Sequence, residues 1–325
     1  MPAPVHIAFL GCGFIASVHS RRLRGLGSLI TRSYASRDLA RAETFRRRYG
    51  GAKSYGDYAS ALADPSVDAV VVAVPPRFHL ELTLQAIAAG KHVLVEKPAF
   101  LTMADYETVR QAKEAAGRVV LVGENDHYKP LAVYLRKHLA RQTIGPLVFA
   151  HFASIARKFK TAGDWRNDET MAGGDAFFEE GIHWLHLAGS LGPVITSIRG
   201  FRPAVSSDLP DRRSKSLLVA FQYDNLAAGA LYYSREVPSL FFGLRLSKLY
   251  GRRGTITFES NGAFAVLWRR GLPRVVMPGL LRDIRGYRAM YRDFARAIRE
   301  GVKPEMSLER AMDDQRLMDA IYASL

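Results

Sequence analysis

An α/β fold in two parts is predicted by this sequence: an N-terminal doubly wound parallel sheet, then an α+β domain with an open, mainly antiparallel sheet. Three observations carry it. Short, nearly all-apolar runs alternate with helical segments from Val5 to Val122, the rhythm of a sheet covered on both faces. A glycine-rich turn separates the first run from the first helix. After Gly123 the rhythm changes to paired strands joined by short polar turns such as Asp224-Asn225, which is a hairpin signal. At 325 residues the chain is too long for one ordinary core. The change of rhythm divides it into domains at 1–123 and 124–325.

Val5–Leu10 reads as the first buried strand. Gly11-Cys12-Gly13-Phe14-Ile15-Ala16 follows, with a helix running to about Leu26. This is GxGxxA in the strand–turn–helix setting of a Rossmann dinucleotide site. Gly11 permits the tight turn, and Gly13 lets a pyrophosphate approach the backbone. Ala16 allows close packing, while the helix start at Phe14 and Ile15 supplies amide donors. Cys12 reads as a small packing residue rather than a redox thiol. The second strand is predicted to end near Tyr34-Ala35-Ser36. An NAD site usually carries an acid there to hold the ribose 2′-hydroxyl. Here Ser36 stands 23 residues after Gly13, followed by Arg37, with Arg41 a helical turn on. A hydroxyl beside guanidinium groups suits a 2′-phosphate, so NADP is favoured. Asp38 is the competing residue, and a shift of two positions would restore NAD.

Residues 57–64 read as a helix ending before Pro65, and Asp68–Val74 as a central strand. Val74 and Pro75 then lead to a helix near Leu80–Ala89. His79, at its start, either contacts the cofactor or is satisfied by backbone. Residues 92–98 read as a further strand, with Glu96 a candidate cofactor contact, stopped at Pro98; the proline cannot extend a ladder. Lys97 therefore stands at the carboxyl edge of the sheet, where open α/β sheets gather ligands. It is placed to hold a substrate oxygen or pass it a proton; the alternative is a solvated surface lysine. A helix over Met103–Ala116, capped by Gly117, and a strand at Val119–Val122 complete this part.

In the second part, a helix near Leu131–Ala140 precedes a strand at 147–156. Strands are predicted at 216–223, 226–234, 244–250, 255–259 and 264–268. An open sheet of this kind has a large flat face, commonly used for subunit packing, and predicts a homo-oligomer. Between them lies the densest polar constellation, Gly173 to His186. If 177–189 is one α-helix, Glu179, His183 and His186 share a face at i, i+4 and i+7. A carboxylate beside an imidazole makes an acid–base couple. The same three side chains could hold a metal, but one cysteine and no second cluster offer little further ligation, so no metal is expected. Near the C-terminus, Ile284, Tyr287, Tyr291, Phe294 and Ile298 form an apolar stripe. Arg285, Arg288, Arg292, Arg296 and Arg299 run along another face, read as solvated. Residues 307–324 form the last helix.

Apolar content of 48% and charged content of 24% are those of a soluble globular chain. No apolar run approaches the ~18 residues of a membrane span. Met1-Pro2-Ala3-Pro4 enters a strand at once, leaving no room for a signal peptide, and one cysteine excludes an internal disulfide. A cytoplasmic protein is expected. The net charge of +15 admits nucleic-acid binding, an anionic surface or substrate, or simple solvation. Arginine pairs such as Arg21-Arg22, Arg212-Arg213, Arg252-Arg253 and Arg269-Arg270 are scattered, with no nucleic-acid-binding signature beside them. Solvation is preferred, and no nucleic-acid partner is expected.

Gly11–Ala16, Glu96-Lys97-Pro98, and Gly173-Gly174 with Glu179 and His183 stand in one order. Together with Val74-Pro75-Pro76, His79, Ala89–Val93 and Trp165-Arg166, they resemble the glucose–fructose oxidoreductase / inositol dehydrogenase / rhizopine catabolism (Gfo/Idh/MocA) family over nearly the whole chain. The resemblance implies an NAD(P)-dependent enzyme moving a hydride to or from a carbinol or carbonyl carbon of a sugar- or polyol-like molecule. It implies a dimer or tetramer through the second-domain sheet, and a C-terminal helix that returns to the first domain. The lysine of Glu-Lys-Pro and a second-domain histidine flank the reacting carbon in such enzymes, which gives Lys97 and His183 those roles. Glu179 stands where an aspartate usually assists, and His186 where a second aspartate is frequent. Asn125-Asp126-His127-Tyr128 lies where relatives carry an asparagine and an arginine. Two other activities occur in the family, an NAD-retaining glycoside hydrolase and a non-catalytic dinucleotide-binding regulator. Lys97 and His183 argue against the regulator.

Overall fold

The computed structural model describes residues 3–157, 165, 168–203, 215–239, 244–278 and 283–325. Arg166, Arg212-Arg213 and Gly279 lie outside them. The chain divides into two compact units, Met1–Glu124 with Tyr287–Met312, and Asn125–Gly286 with Asp313–Leu325.

The first unit holds β1 (Val5–Leu10), α1 (Phe14–Arg22), β2 (Ile30–Ala35), α2 (Leu39–Tyr49), β3 (Ser54–Tyr55), α3 (Tyr58–Ala63), β4 (Ala69–Val72), α4 (His79–Ala88), β5 (His92–Val95), α5 (Met103–Ala116) and β6 (Val120–Val122). The sheet order is β3-β2-β1-β4-β5-β6, all parallel. Strand order therefore reverses between β1 and β4, and ligands of doubly wound sheets bind at that switch point. Every residue of β4 is buried, as a strand covered on both faces demands. α1 is shorter than the sequence predicts: it stops at Arg22, and Gly25 at φ +81° turns the chain. α5 has the predicted bounds, because Thr102 and Asp105 form a reciprocal capping box and Gly117 closes it in the left-handed conformation.

The second unit begins with α6 (Pro130–Ala140) and β7 (Leu147–Ile155), followed by α7 (Glu169–Ala172) and α8 (Ile182–Gly189). Then come β8 (Ile195–Phe201), β9 (Ser216–Tyr223), β10 (Ala228–Ser234), β11 (Leu246–Gly251), β12 (Gly254–Glu259), β13 (Ala265–Trp268) and β14 (Arg274–Val276). Among the described residues they form one sheet ordered β14-β13-β12-β11-β7-β10-β9-β8, antiparallel except for β7 with β10. Along β7, Ala150, Phe152 and Ser154 are buried while Phe149 is 57% exposed. On the buried side Tyr223 Oη donates to Ala188 O of α8 at 3.0 Å, and Phe177 stacks edge-on against Tyr233 at 5.3 Å. On the other side Phe149 and Tyr250 are cross-strand partners, as are Thr255 and Trp268. Phe149, Tyr250 and Trp268 are all solvent-exposed.

The chain ends with α9 (Tyr287–Glu300) and α10 (Leu308–Ala323). α9 belongs to the first unit, and the boundary between units falls within α10. The arginines of α9 are not all simply solvated, as the sequence suggested. Arg288 Nη2 donates to Arg24 O at 2.8 Å, Arg299 Nη2 to Ala3 O at 2.8 Å, and Arg296 pairs with Asp293 at 2.6 Å.

Candidate active site

The glycine turn lies at the β1/β4 switch point, and its two glycines have different reasons. Gly11 has φ +109°, and a Cβ there would meet Ala73 O at 2.6 Å. The fold itself requires a glycine. Gly13 has φ −101°, and a Cβ there would find no atom within 4 Å. The fold tolerates a side chain at Gly13, and the open space suits a close-approaching ligand. The first amides of α1, at Phe14 and Ile15, have no side-chain cap, and its first turn has no acid. Free donors at the positive end of a helix fit a pyrophosphate.

β2 ends at Ala35, so Ser36 is the first residue beyond it. Ser36 is buried, and its Oγ accepts from the Asp38 amide at 3.2 Å. Asp38 is the N-cap of α2, its Oδ1 accepting from Arg41 N at 3.2 Å. Arg41 reaches back to the glycine turn, donating from Nε to Cys12 O at 2.7 Å. Burial pushes the Tyr58 hydroxyl up, while the Arg37 and Arg41 charges pull it back, so both cations act at this end of the sheet. Burial likewise pushes the Cys12 thiol up to about 11, against the pull of Arg41. A thiol raised this far is protonated at neutral pH and poorly nucleophilic. In the folded protein Cys12 should resist a thiol-specific chromogenic disulfide at pH 8 and react stoichiometrically once denatured; prompt native labelling would contradict its burial.

His79 is fully buried, and both ring nitrogens lie on backbone carbonyls. Nδ1 is 3.0 Å from Pro98 O and 3.1 Å from Ala99 O, and Nε2 is 2.8 Å from Val74 O. Burial keeps its pKa below the ordinary value, although these carbonyls and the Glu96 charge act in the opposite direction. Of the two readings of His79, the structure shows the one satisfied by backbone: it ties the Val74-Pro75 loop to the segment after the cis Lys97-Pro98 peptide. Glu96 is also internal. Its Oε1 lies 2.8 Å from Nε2 of His19, off good hydrogen-bond alignment, and His19 Nδ1 is 2.7 Å from Tyr291 Oη. A Cβ on Gly123 would stand 2.7 Å from the same carboxylate oxygen. Glu96 thus anchors the strand end rather than facing a ligand. Lys97 is the second residue beyond β5 and is half-buried.

In the second unit, residues 177–189 do not form one α-helix. Phe177–Gly181 is a π-turn leading into α8. Asp175 Oδ1 accepts the amides of Phe177 and Phe178 at 2.9 and 3.0 Å, and also the Tyr322 hydroxyl at 2.5 Å. Gly181 has no Cβ to meet the Phe177 ring, which would lie 2.3 Å away. The wide turn breaks the i, i+4, i+7 alignment of Glu179, His183 and His186; such turns cluster at functional sites. Glu179 Oε2 takes Nη2 of Arg235 at 2.6 Å, and Glu180 takes its Nε at 2.5 Å. His183 is half-buried on the first turn of α8. His186 is buried, with Nδ1 2.7 Å from Asp314 Oδ2 and Nε2 2.9 Å from His127 Nδ1. With both nitrogens engaged, His186 has none left for a metal.

Nothing in the local sequence marks Arg235, Asp314 or His127 as a partner of these groups. Arg235 follows β10 and carries no motif, and Asp314 is 128 residues from the histidine it orients.

A parallel sheet with a GxGxxA turn at its switch point is the architecture of a Rossmann dinucleotide-binding domain. Residues 5–124 match the NAD-binding Rossmann domain of the Gfo/Idh/MocA oxidoreductase family, and residues 136–325 match its C-terminal α/β domain. The chain belongs to this family, and it is an NAD(P)-dependent enzyme. It is 21% identical to levoglucosan dehydrogenase from Pseudarthrobacter phenanthrenivorans, over 97% of this chain and 87% of that one. It is 28% identical to D-xylose 1-dehydrogenase (NADP(+)) 2 from Haloferax volcanii, over 89% and 88%. The crystal structure of aldose-aldose oxidoreductase from Caulobacter crescentus, complexed with glycerol, shares the fold with a TM-score of 0.88 at 21% identity, covering 99% of this chain and 97% of that one.

Proposed function

We propose that the protein exchanges a hydride between NADP(H) and a carbinol or carbonyl carbon of a sugar- or polyol-like small molecule. The observation that carries it is Lys97, two residues beyond the end of β5, at the sheet edge that also holds the open glycine turn. The relatives' substrates, levoglucosan and D-xylose by name, support the carbohydrate class. When bound, the nicotinamide supplies the hydride donor or acceptor. Gly11, Gly13, Phe14 and Ile15 hold the pyrophosphate, and Val74-Pro75 shapes the wall beside it. Lys97 holds the reacting oxygen, and His183 exchanges the proton. Glu179, tied to Arg235, fixes the turn that carries His183. A titration with NADPH and NADH, followed by a panel of aldoses and polyols, tests this. Saturable binding with no turnover on any member would count against it.

Ser36, Arg37 and Arg41 support NADP over NAD, since Asp38 is occupied as a helix cap. Replacing Ser36 with Asp should put an anion where the 2′-phosphate sits. The NADPH Kd should then rise about tenfold or more, ~1.4 kcal/mol, with little change for NADH. An unchanged ratio would assign the pocket to NAD.

The exposed face of the second sheet supports a homo-oligomer. Phe149→Glu, placing a charge beside Tyr250, should convert it to monomer by light scattering. A monomeric wild type would remove this part of the proposal.

A further inference from the structure

The charge excess is not spread along the chain. Residues 127–163, 237–258 and 260–282 contain no Asp or Glu and carry fifteen Lys and Arg between them. The remaining residues hold thirty-one of each sign, so these three stretches carry the entire net charge of +15. In the fold they supply α6, β7 and most of β11 to β14. Where the β11–β12 turn meets the end of β13 there is a cavity of about 690 Å³, lined by Arg252, Arg253, Arg269, Arg270 and Trp268 and by no acid.

The cavity is built on a tightly packed frame. A Cβ on Gly251 would meet Ile144 O at 2.2 Å, and one on Gly254 would meet Trp268 O at 2.4 Å and Arg269 Cγ at 2.9 Å. Arg253 is held twice, by its amide on Ile144 O at 2.8 Å and by Nη2 on Gln142 O at 3.2 Å. Trp268 Nε1 donates to Gly271 O at 3.0 Å, and the residue is 48% exposed. Four exposed arginines line this concavity, and like charges gathered there raise a local positive potential that a bound anion relieves. Arginine forks match phosphate oxygens in both charge and geometry.

We propose that this cavity binds a multiply charged oxyanion, the phosphate groups of a small phosphorylated ligand. All its residues belong to the second unit, and the proposal does not rest on the hydride chemistry. Inorganic pyrophosphate is the probe. It is titrated into the full-length protein by calorimetry at ~0.15 M salt, where weak surface attraction is screened, with saturating NADPH present to fill the dinucleotide site. Saturable binding of one pyrophosphate per chain is expected, together with a change in tryptophan fluorescence. Arg252→Gln and Arg269→Gln should each weaken it about tenfold, ~1.4 kcal/mol. The double variant should lose it while NADPH binding is unchanged, which also shows that the variant is folded. Absence of saturable binding, or equal binding by the double variant, would overturn the proposal. So would retention on anionic vesicles or nucleic acid without pyrophosphate saturation, which would mark a nonspecific cationic surface.

Discussion

Lys97→Met should reduce turnover by about 10³-fold or more, while NADPH binds within a few-fold of wild type. Removing a group that holds and protonates the reacting oxygen forfeits general acid–base catalysis, ordinarily worth about 10²–10⁴-fold, together with its electrostatic stabilisation. Methionine keeps the length and apolar stem of the half-buried lysine, so the strand end should remain intact. Glu96 and His79 hold that strand end independently, through His19 and through the carbonyls of Val74, Pro98 and Ala99. A loss in kcat with an unchanged cofactor titration would assign Lys97 to the chemistry. Turnover near wild type would remove that assignment.

The second large effect separates two glycines that the motif treats alike. Gly13→Val should leave the protein folded, with a melting temperature close to wild type, because nothing lies within 4 Å of its Cβ. Its affinity for NADPH should nevertheless fall at least a hundredfold, ~2.7 kcal/mol, since the isopropyl group occupies the pyrophosphate's approach. Gly11→Ala should do the reverse in kind. Its φ of +109° and the Ala73 carbonyl at 2.6 Å make the cost one of folding, ~1–3 kcal/mol from backbone strain alone. Calorimetric melting and NADPH titration on both variants check this. If Gly13→Val bound cofactor normally, the turn would not be a dinucleotide site.

Legibility followed the range of the signals. α5 was readable because its capping box, apolar spacing and closing glycine lie within sixteen residues, Thr102 to Gly117. The parallel strands were readable because burial on both faces leaves uninterrupted apolar runs. β8 and β14 are edge strands whose residues are largely exposed, so they carry no clear alternation. The π-turn at Phe177–Gly181 has the residue pattern of an ordinary helix. The contacts favouring it are the Asp175 cap, the Phe177 ring against Gly181, and Tyr322, which lies 147 residues from Asp175. Spacing rules assume 3.6 residues per turn and misplace a carboxylate whenever that period fails. The candidate residues that local motifs mark, Gly11, Gly13 and Lys97, follow the carboxyl ends of β1 and β5. The buried partners of others, Arg235 for Glu179 and Asp314 for His186, arise only when distant segments pack.

The reaction itself is tested most directly by isotope transfer. Enzyme is given NADPH deuterated at C4, in each stereochemical form, with the sugar or ketose that the panel selects, and the product mass is read. The predicted result is a product one mass unit heavier with one of the two forms, together with stoichiometric loss of the cofactor's reduced-state absorbance. A glycoside cleaved with the deuterium still on the cofactor would contradict it.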